Sequence, residues 1–268
     1  MRAVKYAQKN ISYLKMSSIS KIDIFKFKKI KEMKSFDFQP GRILAGKYKI
    51  IAKLGGGWEG EVYRIKELNT GIERAAKIFY PERNMNNLSS EVYAKKLHKL
   101  RECPMVIKYH NQETMSYQTI SLTILISEYV EGLLLTEYLS RIKGKRLSIF
   151  QGIHLLHALV KGIECIHQHG EYHGDLHSEN IIIRRMGLSF ELKVLDFFNR
   201  GRVNSFKRGL DIIDAIRIFY DAIGGQKYYK NHPKEIKEIC CGLKQSLILK
   251  KFKTAGALRR HLETQVWS

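Results

Sequence analysis

The sequence predicts a two-lobed α+β fold: an N-terminal lobe with a five-stranded antiparallel sheet and one helix, then a mainly helical C-terminal lobe. Three observations predict it. Apolar residues recur with a period of two between Tyr48 and Tyr80, broken by glycines and turn residues. The period then changes to a helical one over 87–102. Beyond the linker-like Glu128-Tyr129-Val130-Glu131-Gly132 the pattern is helical almost to the end.

Each element has its own reason. Phe38-Gln39-Pro40-Gly41 reads as a break, so a basic extension is placed at 1–40 and the main domain at 41–268, with lobes of about 41–130 and 131–268. Tyr48–Leu54 and the alternating Glu61–Lys66 flank a glycine run, and Asn69-Thr70-Gly71 turns the chain into a third strand, Ile72–Phe79. Leu88, Val92, Leu97 and Leu100 set a helix capped by Ser89 or Ser90. Pro104–Tyr109 and Ile120–Tyr129 complete the sheet. A short helix is expected at Leu134–Leu139 and a long one at Ile149–His167, with Ile153, Leu156, Leu159, Val160, Ile163 and Ile166 on its apolar face. Two short strands, Ile181–Arg184 and Glu191–Leu195, precede helices at Gly209–Ile223, Pro233–Leu247 and Ala255–Thr264. The chain has neither internal repeats nor low-complexity stretches.

Composition narrows the class. The 268 residues carry a net charge of +21, which attracts acidic partners such as nucleotide phosphates. Residues 1–34 hold ten Lys/Arg against Asp23 and Glu32, a basic extension suited to an acidic partner but without a specific nucleic-acid motif. Ile22, Phe25 and Ile30 would form a small apolar stripe if that segment were helical. No apolar run approaches the roughly 20 residues of a membrane span. No secretory h-region is visible, and Cys103, Cys165, Cys240 and Cys241 form no C-x-x-C pair. Reduced thiols and a cytoplasmic location are therefore expected.

The chemistry-bearing residues fall in one order. Gly55-Gly56-Gly57-Trp58-Glu59-Gly60-Glu61-Val62 fits G-x-G-x-x-G-x-V with strands on both sides, which favours a hairpin lying over a triphosphate. Lys77, among small and apolar neighbours, offers a point charge to the α- and β-phosphates. Glu91, in the following helix, is the candidate to hold it, ahead of Glu82 and Glu102. In His173-Gly174-Asp175-Leu176-His177-Ser178-Glu179-Asn180, Asp175 faces an acceptor hydroxyl and Asn180 a metal ion. Asp196, at the end of an apolar strand, is a second hard-oxygen ligand suited to Mg²⁺. His154, His157, His167, His169, His173 and His177 cluster in sequence, but no Cys or acidic residue completes a zinc site at suitable spacing.

With these residues in place, the chain over about 41–268 resembles the protein-kinase-like superfamily, as a divergent bacterial or viral Ser/Thr kinase-like protein. The resemblance implies ATP and Mg²⁺ as cofactors and an ATP site between lobes. Gly55, Gly56, Gly57, Gly60, Val62, Lys77 and Glu91 would bind the nucleotide, with Glu128 and Val130 in the hinge-like Ile126–Gly132 and Ser127 as a small gatekeeper. Asp175 and Lys77 would be catalytic, Asn180 and Asp196 metal ligands, and Asp211 a brace for the loop of Asp175. Three departures stand out: Gly174 replaces the Arg of many protein kinases, Phe198 replaces the Gly of Asp-Phe-Gly, and about fifteen residues separate Asp196 from Asp211. A protein hydroxyl, with the chain itself as one candidate, is favoured over a small-molecule acceptor of the aminoglycoside or choline type. An inactive nucleotide-binding module ranks last.

Overall fold

The computed structural model describes residues 33, 35–187, 189–197 and 202–266. The chain divides into two units, Met1–Asp37 and Phe38–Ser268. The expectations for the basic run, for the Ile22/Phe25/Ile30 stripe and for Phe198 lie outside the described residues.

Residues Phe38 onward begin with a sheet of β1 (Ile43–Leu44), β2 (Tyr48–Gly56), β3 (Gly60–Glu67), β4 (Glu73–Phe79), β5 (Tyr109–Tyr117) and β6 (Ile120–Glu128). The order is β1-β2-β3-β4-β6-β5, with every neighbouring pair antiparallel. The sheet thus has six strands rather than five, because Ile43 and Leu44 turn back to pair with Lys49 and Tyr48. A second correction concerns Pro104–Tyr109. That stretch is not a strand of this sheet, and β5 starts only at Tyr109. Val106 and Ile107 are buried by packing between lobes, and Val106 bridges in parallel to Val194. The true strand is a polar edge strand, Tyr-His-Asn-Gln-Glu-Thr-Met-Ser-Tyr, whose weak apolar signal hides it.

Helix α1 (Leu88–Lys99) follows β4. Its inner face is Tyr93, Leu97 and the adjoining Leu100, spaced i, i+4, i+7, while Leu88 and Val92 face solvent. The helix is therefore turned away from the face its first two apolar residues suggest. Neither Ser89 nor Ser90 is the cap. Asn87, in the left-handed region, occupies that position, and the Asn84 side chain accepts from Ser90 N at 2.9 Å.

The second lobe opens with β7 (Leu133–Leu134) and α2 (Leu135–Arg141). Its centre is α3 (Ile149–Gln168), started by a capping box between Ser148 and Gln151. Leu155, Leu156, Leu159, Val160, Ile163 and Ile166 are buried along it, each side chain worth about 1.5–3 kcal/mol. By length and composition α3 is apolar enough to cross a membrane, contrary to the expectation that no apolar run approaches that length, but here it is the core helix of the lobe. It packs so closely that a Cβ at Gly162 would lie 2.3 Å from Met105 Sδ. Strands β8 (Ile181–Met186) and β9 (Ser189–Val194) pair with β7 in the order β7-β8-β9.

The remaining helices are α4 (Ser205–Ala222), α5 (Gly225–Tyr229), α6 (Lys234–Cys240), α7 (Gln245–Lys251) and α8 (Ala255–Thr264). Helix α4 begins four residues earlier than expected because Asn204 caps it, accepting from Lys207 N at 2.8 Å. The single helix expected over 233–247 is two, broken where Cys241, Gly242 and Leu243 all take positive φ.

Cys103 and Cys165 form a disulfide with Cα atoms 5.8 Å apart, contrary to the expectation of reduced thiols. It joins the loop after α1 to the last turn of α3. Their sequence separation of 62 conceals the pairing. It also removes the cysteine-based support for a cytoplasmic location.

Candidate functional site

The Asp175 loop is built from the end of α3 and fixed from beneath. Asp211, in the second turn of α4, has 0% exposure. Its carboxylate accepts from His173 N and Gly174 N, each at 2.8 Å, and lies 2.9 Å from His167 Nε2. Three donors on one buried carboxylate satisfy its charge and hold two successive peptide units. Gly174 has φ +83°, a left-handed conformation that an Arg would adopt only with strain.

His173 is wholly buried. Burial lowers its pKa, against the opposing pull of Asp211. Its Nε2 lies 2.9 Å from Leu195 O, and its ring packs 4.7 Å from that of Phe197. Leu195 N in turn donates to Asn180 O at 2.8 Å. These bonds lock the segment carrying Asp196 to the segment carrying Asp175 and Asn180.

Asp175 itself is open: its side chain is 58% exposed, with His177 Nε2 at 3.7 Å from Oδ2. Asn180 is buried, and its amide nitrogen donates to Asp175 O at 3.0 Å and sits 2.9 Å from His177 Nε2. The engaged atom is the nitrogen, so the amide oxygen is the one left for a cation. Asp196 takes φ +49°, and its carboxylate is 53% exposed. Two hard oxygens on adjoining segments suit Mg²⁺, which binds few protein ligands and keeps its waters.

Lys77 connects the lobes. It is buried on β4, directly opposite Val62 of β3, and its Nζ lies 2.9 Å from Asp196 Oδ1. Burial lowers the lysine pKa, but Asp196, then Tyr93 and Glu59, more than reverse this and leave it raised. The second carboxylate on Nζ is not Glu91. It is Glu59 of the glycine loop, at 2.8 Å. Glu91 points to solvent and pairs with Lys95, because α1 turns its Tyr93 side inward. The Tyr93 ring lies 4.8 Å from Lys77 Nζ.

The glycines of the loop have different roles. At Gly60 a Cβ would meet Ile78 O at 2.0 Å, so this residue is dictated by the approach of β3 to β4. At Gly55 and Gly57 a Cβ would meet nothing within 4 Å. Beneath the loop Glu61 is buried with Lys53 Nζ at 2.7 Å and the hydroxyls of Tyr63 and Tyr80. Burial, then Glu61, pushes the Tyr80 hydroxyl up to about 12.

In the hinge, Glu128 points its carboxylate at Lys193 Nζ of β9, 2.5 Å away, and at Lys108 N. Its main-chain oxygen lies 3.5 Å from the Ser127 hydroxyl, and Val130 is half-buried. The Ser127 side chain is buried.

Several contacts escape sequence reasoning. Glu171 pairs with Lys99 at 2.7 Å and Lys96 at 3.7 Å, tying α1 to the entry of the Asp175 loop. Lys96 is buried over the rings of Tyr172 and Phe197. His169 Nδ1 lies 3.5 Å from Cys103 Sγ and 3.8 Å from Cys165 Sγ, so a histidine does meet cysteines that its sequence spacing did not offer.

Comparison with known proteins bears on the family and the fold. The family model described as "Protein kinase domain" matches residues 48–229. CBL-interacting protein kinase 1 of Oryza sativa subsp. japonica is 31% identical over 156 residues, covering 58% of this chain and 32% of that protein. Serine/threonine-protein kinase pkn2 of Myxococcus xanthus is 26% identical over 157 residues, 58% of this chain and 18% of that protein. The matched segment thus spans about a third or less of these relatives. The PknI kinase domain of Mycobacterium tuberculosis superposes with a TM-score of 0.62 at 15% identity, covering 85% of this chain and 100% of that one, a likeness of fold.

Proposed function

The chain belongs to the protein kinase family, and from that premise we propose that it transfers the γ-phosphoryl group of ATP, with Mg²⁺, to a Ser or Thr hydroxyl of a protein. The observation that carries the reading is the convergence of Lys77, Asp196, Asn180 and Asp175 on one cleft, through the Lys77–Asp196 ion pair and the bonds that join Leu195 to His173 and Asn180. In this reading Lys77 faces the α- and β-phosphate oxygens, and the loop Gly55–Gly60 with Val62 covers them. The main chain at Glu128 and Val130 receives the base. Asn180 Oδ1 and the Asp196 carboxylate would hold Mg²⁺, which would supply positive charge beside the phosphates. Asp175 accepts the hydrogen bond of the acceptor hydroxyl and aims it in line.

A protein acceptor is favoured because the kinases this chain matches are named as protein kinases, among them a serine/threonine-protein kinase. The small-molecule alternative has no comparable support. An acidic partner for 1–40 rests on charge alone. The test is incubation of the full chain with labelled ATP, Mg²⁺ and either a basic protein or a panel of aminoglycosides and amino alcohols. Label on Ser or Thr of protein, the chain itself included, supports the reading. Label only on a small molecule overturns it.

A further inference from the structure

The family's mechanism asks for a carboxylate that holds the phosphate-binding lysine, supplied from the helix after β4. Here that helix has one acidic residue, Glu91, and it is on the wrong face. What α1 turns toward Lys77 is the ring of Tyr93. The carboxylate comes instead from the opposite side, from Glu59, whose Oε2 is 2.8 Å from Nζ.

The main chain at Glu59 is fixed. Its carbonyl accepts from Tyr80 N at 2.9 Å, just past the end of β4. Gly60 follows immediately, paired with Phe79 and pressed against Ile78. Gly57 N donates to Gly60 O at 2.9 Å and closes the turn. Next to it, Trp58 stacks its ring over the Arg83 guanidinium at 4.3 Å. Glu59 therefore reaches Lys77 from a backbone hydrogen-bonded to the lysine's own strand region, with only its side chain, 42% exposed, left to adjust.

We propose that Glu59 is the positioning residue for Lys77 in this kinase, taking the part expected of the α1 glutamate, so that the lysine is held from the glycine loop and not by the placement of α1. This rests on the kinase reading above. It makes a specific demand: as the phosphates enter, Glu59 stays on the lysine instead of competing with them.

The test uses the full chain as wild type, Glu59→Gln, Glu59→Asp, Lys77→Met and the Glu59→Gln/Lys77→Met double variant, all with thermal melts to show folding. Two readouts are taken. The first, which needs no kinase activity, is the rate at which an amine-acylating reagent labels Lys77 at pH 8 in nucleotide-free protein, followed by peptide mass spectrometry. Removing the carboxylate takes from the amine a hydrogen-bond and ion-pair partner at 2.8 Å, so Glu59→Gln labels at least about threefold faster and Glu59→Asp falls between it and wild type. The second is MgATP affinity together with kcat and KM. Glu59→Gln lowers kcat/KM by about tenfold or more, and the same exchange on the Lys77→Met background adds nothing. Unchanged labelling overturns the proposal. So does tighter MgATP binding with faster transfer in Glu59→Gln, which would make Glu59 a competitor of the phosphates. A wild type that neither binds MgATP nor transfers phosphate defeats the kinase reading, while the labelling result still decides the Lys77–Glu59 contact.

Discussion

The Asp175 loop and the Lys77 site, joined through Asp196 and Leu195, present charged groups by opposite means. Around the loop, the organising charge is buried: Asp211 is wholly enclosed and saturated by two backbone N–H groups and His167, while the working side chain, Asp175, is left exposed. At Lys77 the working group is the buried one, and its partners Glu59 and Asp196 are roughly half exposed. The first arrangement fixes geometry before any ligand arrives. The second leaves Asp196 able to turn from the lysine to a metal when phosphate and metal arrive, while Glu59 keeps its hold on the amine. A loop that must aim a hydroxyl gains from rigidity, and a lysine that must exchange Asp196 for phosphate gains from an accessible partner there.

The largest expected effect comes from breaking the rigid side. Asp211→Ala leaves two buried N–H groups and a histidine without their acceptor, at a cost of about 3–5 kcal/mol. The melting temperature should fall by about 10 °C, seen by scanning calorimetry, with loss of phosphate transfer. A change of a degree or two would show that the loop is held by other contacts.

Next is the Cys103–Cys165 link, which ties the segment after α1 to α3 just before the Asp175 loop. By loop closure over 62 residues, its removal costs at most about 4 kcal/mol. Thermal melts of the oxidised chain with and without a dithiol reductant measure it. A large loss confirms that the link supports the rigid side, and equal melts show that packing such as Met105 against Gly162 suffices.

The smallest is a pH effect beside the loop. Burial, aided by Asp211 and Asp175 and opposed by Arg217, pushes the Asp214 carboxyl up to about 6. A raised carboxyl pKa means that the folded state holds the proton more tightly. Its contribution is greatest below the unfolded carboxyl pKa and is lost as pH rises through about 6. Asp214→Asn should therefore stabilise the chain by about 1–3 kcal/mol at pH 8 and by almost nothing at pH 4. Equal effects at both pH values would sink the assignment.

How much of this was legible depends on whether a signal is local. The glycine loop, Lys77 on its strand, Asp175 with Asn180, and Asp196 after an apolar strand are short patterns, and each sits where its pattern puts it. The inner face of α1 is not legible in the chain, because Leu88 and Val92 are apolar yet exposed, whereas Tyr93, Leu97 and Leu100 carry the buried stripe. That rotation alone moves Glu91 from the lysine to solvent. Glu59 lies in the glycine loop, but only the pairing of Gly60 with Phe79 brings its side chain to Lys77. The disulfide and its neighbour His169 depend on the packing of two lobes, which no spacing in the chain encodes.

The most direct test of the central claim compares wild type with Asp175→Ala for transfer of label from ATP to protein, with MgATP binding measured on the same samples. Among the described residues the exposed carboxylate lies beside His177, while Lys77 is held by Glu59 and Asp196, so binding should stay within about twofold while transfer falls by about 100-fold or more. Undiminished transfer by Asp175→Ala would contradict the account.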